Sequence, residues 1–314
     1  MKIYSAVKLP EHVTEPLKNK GYDLVMHNEL TTPTKEEILS QTKDKDALIT
    51  GVNTAVDKDI IEASSSLKVI SNVGAGYNHI DIQAAKENNI VVTNSPADES
   101  TASTAENALM LMLMLSRDIN NAQPIAESDS FHGWQVMGYL GGNQMSGKTL
   151  AIIGLGTIGQ RIAQMAEGFD MNIIYVDLEE KNVSYDRMKL EQALPAADFV
   201  VLQMNYKSEN HHMINYDTFE MMKPSAFLIN NARGGIVDET ALADALDQNL
   251  IKGAALDVHE FEPQINERLR GRDNVILTPH IGNDTIEARD NMARVAIDQV
   301  IKALNDESLT YKVN

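Results

Sequence analysis

Short apolar runs alternate with polar, helix-compatible segments along the whole chain. In the first hundred residues the runs are KIYSAV (2–7), YDLVMH (22–27), ALITG (47–51), LKVISNVG (67–74) and IVVTN (90–94). After residue 147 the alternation resumes as TLAIIGLG (149–156), MNIIYVD (171–177), DFVVLQM (198–204), AFLINNA (226–232), GAALDV (253–258) and NVILTP (274–279). Runs this short and this continuously apolar predict strands covered on both faces, and the helical segments between them predict crossovers joining parallel neighbours. The pattern therefore predicts an α/β protein with two doubly wound parallel-sheet domains and a cleft between them, the second domain built on six strands. A helix starting near Thr101 leads from the first half into the second, with Ser103 and Glu106 spaced as a capping box ahead of ALMLMLML (108–115). That apolar run buries more than one face but is far shorter than the roughly 20 residues a bilayer requires. Residues 120–147, rich in Gly, Asn and Ser and holding the only tryptophan, Trp134, read as an irregular connection. A last helical stretch, 285–305, follows the final strand and returns to the first half. The predicted domains are thus 1–98 together with 285–314, discontinuous and flavodoxin-like in its alternation, and 99–284.

Composition narrows the possibilities. A chain of 314 residues exceeds the size at which one core keeps growing, which agrees with two domains. With 27 Lys and Arg against 45 Asp and Glu, the net charge of −18 repels nucleic acid and anionic membrane, so neither is an expected partner. The absence of cysteine removes disulfides, thiolate nucleophiles, thiolate zinc sites and iron–sulfur clusters. The opening MKIYSAVKL lacks the features of a signal peptide, and a cytoplasmic location is expected.

Chemistry enters at the strand ends. Gly154, Gly156 and Gly159 form G-L-G-T-I-G, with Thr157 and Ile158 between them, after one apolar run and before a helical segment. In a Rossmann-like half the first glycine permits the turn, the second lets amides approach a pyrophosphate, and the third lets helix pack on strand. Asp177 ends the next strand, 23 residues after Gly154, where a carboxylate can accept from both ribose hydroxyls, so NAD is expected over NADP. A merely tight turn and an ordinary surface acid are the competing readings. Arg233, Glu262 and His280 each stand just beyond a strand of the same half. A guanidinium can clamp a carboxylate while an acid-supported imidazole handles a carbonyl proton, a combination suited to 2-keto acids. Against this stand a satisfied buried histidine at 280 and a structural Arg233–Glu262 ion pair. In NVGAGYN, the residues Val73, Gly74 and Ala75 offer small side chains and backbone amides, or simply a left-handed turn. His211 and His212 have no third ligand beside them, and no metal is expected. His12, His27, His79, His132 and His259 lack a partner pattern, although His79 follows the substrate loop closely enough to line a pocket.

NVGAGYNHIDI (72–82), VTNSP (92–96), STAENALMLMLMLSR (103–117), SGKTLAIIGLGTIG (146–159), LINNARGGIVDETALADAL (228–246), GAALDVHEFEP (253–263) and LTPHIGNDT (277–285) together resemble the D-isomer-specific 2-hydroxyacid dehydrogenase family, most nearly its glyoxylate/hydroxypyruvate reductase-like branch. The resemblance implies that 1–98 with 285–314 binds substrate, that 99–284 binds the dinucleotide, and that Arg233, Glu262 and His280 are catalytic. It further implies substrate binding by Val73, Gly74 and Ala75. The cofactor contacts it implies are Gly154, Gly156, Thr157, Ile158, Gly159, Asp177, Asn205, Ala232, Asp257 and Gly282, with Asp257 and the Ala232 carbonyl on the nicotinamide side. Asn205 to Ser208 departs from the family's usual proline- and threonine-containing segment. The implied activity is NADH-dependent reduction of a small 2-keto acid to the D-2-hydroxy acid in a homodimer joined through 101–118. A dinucleotide-sensing corepressor is the alternative on the same fold. Formate oxidation ranks low because relatives doing it carry glutamine where Glu262 stands. Phosphorylated substrates are disfavoured because 71–82 contains no Lys or Arg.

Overall fold

In the computed structural model, which describes residues 1–29 and 31–314, the chain forms two compact units. One comprises Met1–Ser100 with Thr285–Asn314, the other Thr101–Asp284. The division falls inside a single helix, Asp98–Ser116.

The first unit holds strands β1 (Lys2–Ser5), β2 (Asp23–Met26), β3 (Ala47–Gly51), β4 (Val69–Val73) and β5 (Val91–Thr93) in a parallel sheet of order β2-β1-β3-β4-β5. Alternate side chains divide between two cores. Tyr4, Leu48, Ile70 and Val92 pack with Ile38, Ile60 and Ala84, whereas Ile3, Ala47, Ile49 and Val69 pack with Ala293, Ile297 and Val300 of the last helix. Burial on both faces explains why these strands read as unbroken apolar runs. That last helix runs Ile286–Leu304, capped by Thr285 through the Ala288 N–H, so it belongs to this unit although it follows the second sheet in sequence.

The second unit holds β6 (Thr149–Ile153), β7 (Asn172–Val176), β8 (Asp186–Arg187), β9 (Phe199–Leu202), β10 (Phe227–Asn230), β11 (Gly253–Leu256) and β12 (Val275–Leu277), all parallel, in the order β12-β11-β10-β9-β6-β7-β8. The sheet has seven strands, not the six expected. β8 contributes only two exposed, polar residues, so it carries no hydrophobic signal. Again the faces separate. Ala151, Ile153, Val200 and Leu228 point into one core, and Leu150, Ile152, Phe199 and Val201 into another that includes Ala105, Ala108, Leu111 and Met112.

Two local expectations are corrected. The helix begins at Asp98, which puts Ser103 in its interior and removes the expected capping box; the Ser103 hydroxyl instead donates to the Gly282 carbonyl at 3.1 Å. Residues 119–126 form a further helix, Ile119–Ala126, inside the stretch read as irregular, and Asn120 ties it to the Val275 carbonyl at 2.9 Å. Among the described residues no helix is long and apolar enough to cross a membrane.

Candidate active site

Strand order in the second sheet reverses at β6, which has β7 on one side and β9 on the other. Ligands of open α/β sheets bind at such switch points. Gly154 leaves β6 with φ +99, and a Cβ there would stand 2.4 Å from the Gln203 carbonyl oxygen beyond β9. A Cβ on Gly159 would meet the Gly154 carbonyl oxygen at 2.3 Å. Gly156, by contrast, faces open space and caps the helix Thr157–Glu167. The glycines at the two ends are thus demanded by internal packing. The middle one leaves room for a phosphate to approach the unpaired amides and positive end of an eleven-residue helix, so the loop fits a dinucleotide.

At the end of β7 the Asp177 carboxylate accepts from Leu155 N at 2.9 Å and Glu179 N at 3.1 Å, and lies 3.3 Å from Lys181 Nζ. Burial by itself would push this carboxyl up, but the two N–H donors and Lys181 outweigh it and hold it below the ordinary aspartate value. Arg187, on β8, donates to the Asp177 and Leu178 carbonyls. Sequence reasoning missed Lys181 and Arg187, since a turn and a two-residue polar strand give no periodicity. The carboxyl end of β7 therefore carries one carboxylate with two cations beside it.

The expected triad lies at the carboxyl ends of β10, β11 and β12. Glu262 Oε2 is 3.0 Å from His280 Nδ1, and Glu262 Oε1 accepts from the His259 backbone N–H at 2.9 Å. Burial would raise the Glu262 carboxyl; the His280 hydrogen bond and charge, with the His259 N–H, overcome this and leave it below the usual glutamate value. With Nδ1 turned to the carboxylate, Nε2 is the ring nitrogen left for a reacting group. Arg233 is pushed down by burial, opposed by the nearby Glu262 charge. Its Nη1 donates to the Ala232 carbonyl at 2.7 Å, so the oxygen expected at the nicotinamide is already engaged.

Asp257 is almost fully buried. Its carboxylate accepts from Thr278 Oγ1 at 2.6 Å, Ile281 N at 2.8 Å and Gly282 N at 2.7 Å, and its carbonyl accepts from His280 N at 2.9 Å. Asp257 thus anchors the loop that presents His280, which itself sits at φ +58. Gly282 fits because a Cβ would lie 2.9 Å from Asp257 Oδ2. Sequence reasoning also missed a polar row on the Asp98–Ser116 helix: Asn107 donates to Asn231 Oδ1 at 3.0 Å, and Asn231 Nδ2 returns to the Thr104 carbonyl at 2.8 Å. The available signal was Ser103 and Asn107, polar and one turn apart, just ahead of and at the start of the Met/Leu run.

Beyond β4, Gly74 sits at φ +140 with a Cβ position 2.8 Å from Val52. Its N–H donates to Ser95 Oγ, just beyond β5, at 2.7 Å, so the Gly74 amide expected to meet a carboxylate is already engaged. Val73 ends the strand and Ala75 is exposed, its carbonyl accepting from Asn94. Asn205 lies exposed beyond β9, its carbonyl accepting from Asn210. His211 and His212 stack at 3.8 Å; His212 bonds Glu260 at 2.6 Å and His211 approaches the Gly235 carbonyl at 3.1 Å.

Residues 109–282 match the family model of the D-isomer specific 2-hydroxyacid dehydrogenase, NAD binding domain. A Staphylococcus saprophyticus relative, provisionally named a 2-hydroxyacid dehydrogenase, is 43% identical over 320 residues, covering 100% of each chain. The crystal structure of the TT0316 protein from Thermus thermophilus matches with a TM-score of 0.96 at 32% identity, covering 100% of each chain. An NADPH-dependent glyoxylate/hydroxypyruvate reductase from Sinorhizobium meliloti matches with a TM-score of 0.85 at 26% identity, covering 99% of this chain and 96% of that one.

Proposed function

Because the chain belongs to the D-isomer specific 2-hydroxyacid dehydrogenase family of NAD-dependent oxidoreductases, we propose that it reduces a small 2-keto acid of the glyoxylate or hydroxypyruvate kind to the D-2-hydroxy acid. The observation that carries this reading is the Glu262–His280 contact at 3.0 Å beyond the strand that neighbours the one bearing Arg233. When bound at the glycine loop, reduced nicotinamide supplies a hydride to C2. Arg233 binds the carboxylate and the keto oxygen and draws charge from C2. His280, held by Glu262 through Nδ1, donates the Nε2 proton to the forming alkoxide and takes it back in the oxidative direction. Asp257 serves as the anchor of the His280 loop, since its oxygens are engaged there. The Val73–Ala75 turn is assigned to the substrate carboxylate in the same proposal, with the Ala75 amide as its donor.

An unphosphorylated substrate is supported by the absence of Lys and Arg from residues 71–82, and a small one by the activity named for the Sinorhizobium relative. Asp177 supports NADH as the reductant, while Lys181 and Arg187 make NADPH the coenzyme to compare. A homodimer joined through 101–118 is part of the same reading, supported by the exposed Met110 and by Trp134 and Met137, 85% and 90% exposed, in the segment that follows.

A steady-state screen of glyoxylate, hydroxypyruvate, pyruvate and larger keto acids with NADH and NADPH tests the proposal. Turnover is expected to be highest with a two- or three-carbon acid and NADH. His280→Ala is expected to lower kcat by roughly 100- to 10,000-fold while NADH still binds. No turnover with any acid, alongside tight NADH binding, would identify a dinucleotide sensor instead.

A further inference from the structure

His259 touches all three segments that carry the proposed catalytic groups. Its backbone N–H donates to Glu262 Oε1 at 2.9 Å. Its ring Nε2 lies 3.0 Å from the carbonyl of Thr278, two residues before His280. Its own carbonyl closes on Gly234, beside Arg233, so tightly that a Cβ at Gly234 would stand 1.9 Å from that oxygen. Gly234 is thus a glycine because the backbone at 259–260 passes against it.

The ring's protonation follows from its partners. A carbonyl only accepts, so Nε2 carries a hydrogen. Nδ1 is buried and has no hydrogen-bond partner among the described residues, yet it faces Glu239 Oε1 at 3.9 Å, both side chains at most 3% exposed. Glu239 in turn accepts from Glu260 N at 2.9 Å and donates its own N–H to Glu260 Oε2 at 3.3 Å. A buried bare carboxylate facing an imidazole lone pair is unfavourable, and one proton on either group removes the conflict. The Glu239 carboxyl is indeed pushed up by burial, with the neighbouring Glu260 charge adding to it. The other charged groups around the pair are Glu260, which bonds His212, then Asp238 at 3.9 Å from His212, and the Glu262–His280 couple.

We propose that His259 and Glu239 form a buried positioning pair that holds one proton between them and, through the ring's bond to the Thr278 carbonyl, keeps the His280 segment in register with the Glu262 and Arg233 segments that meet the His259 backbone. The pair touches no substrate; it acts through the Thr278 carbonyl on the segment that carries His280. This rests on the catalytic reading of His280 and Glu262, and the test separates the two.

The experiment compares His259→Leu, His259→Gln and His280→Ala in the full-length chain, with NADH and the best acid of the screen. His259→Leu is expected to lower kcat about 100-fold, the scale of a small misplacement of reacting groups, with NADH affinity unchanged. It should also move the acid limb of the kcat pH profile. His259→Gln, whose amide can still donate to the Thr278 carbonyl, is expected to restore most of the rate and the profile. Wild-type kcat and an unmoved acid limb in His259→Leu would overturn the pair while leaving an inactive His280→Ala, and hence the catalytic reading, intact. Full activity of His280→Ala would overturn both. If His259→Leu does not fold, His259→Asn serves, because its shorter amide cannot reach Thr278; wild-type kcat there would equally overturn the proposal.

Discussion

The carboxylate of Asp257 receives a hydroxyl and two backbone N–H groups from the loop that carries His280, all at 2.8 Å or less. Such a buried acceptor contributes through the donors it satisfies, and its removal strands each of them. Asp257→Ala is expected to cost on the order of 3 kcal/mol in urea denaturation and to lower kcat, whereas Asp257→Asn, which keeps one acceptor oxygen, should cost less. Equal stability of Ala variant and wild type would show that the loop is held elsewhere. At this scale the sequence was only partly legible. Arg233, Glu262 and His280 stand at strand ends and could be read from position and type. His259 could not, because Glu239 and Thr278, its partners, are 20 and 19 residues away and only packing brings them to the ring.

Helix Asp98–Ser116 serves two directions at once. Ser103 and Asn107, one turn apart, bond Gly282 and Asn231, while Ala105, Ala108 and Leu111 fill the core beside β6. Met110 remains 38% exposed. An apolar side chain left uncovered on a helix whose other Met and Leu side chains are buried or half-buried, followed by the exposed Phe131, Trp134 and Met137, is the surface a second copy would cover. Sedimentation velocity is expected to give the mass of two chains, and Met110→Lys to shift it toward one. A single-chain mass for the unaltered protein at micromolar concentration would remove the homodimer. The element's existence and its burial on more than one face were readable from the run of Met and Leu. Its start was not, since Asp98 and Glu99 supply a first turn as acceptable as the Ser103–Glu106 pair that the chain leaves in mid-helix.

Across the whole molecule, acids outnumber bases by 18, yet many carboxylates have local cations or N–H donors. Glu11, Asp57, Asp198, Asp247 and Asp290 all titrate below their ordinary values, and Asp44, bonded by Lys2 and Lys45, is brought down to about 2. A carboxyl lowered in the folded state contributes fully above its unfolded value and loses that contribution as pH falls through the folded one. Glu239, raised by burial, has the opposite sign: its contribution is complete below the unfolded value and is lost as pH rises through the folded one. The lowered groups are the more numerous. The melting temperature is therefore expected to fall as pH drops from about 4.5 toward 2, where these groups lose their charge. A constant melting temperature across that window would mean the pairs contribute nothing to stability, as exposed pairs often do not.

Apolar runs, glycine spacing and the residue types at strand ends are properties of the chain, so the two parallel sheets, the dinucleotide loop and the catalytic candidates were readable before any coordinates. Burial on both faces makes such strands self-announcing, and the needs of a phosphate turn make its glycines so. Contacts between distant segments have no such signature. The engaged amide of Gly74, the cations beside Asp177, the bond from Ser103 to Gly282 and the buried ring of His259 arise when folding brings together residues with no periodic relation, and hydrogen bonds are satisfied by whatever then lies within about 3 Å.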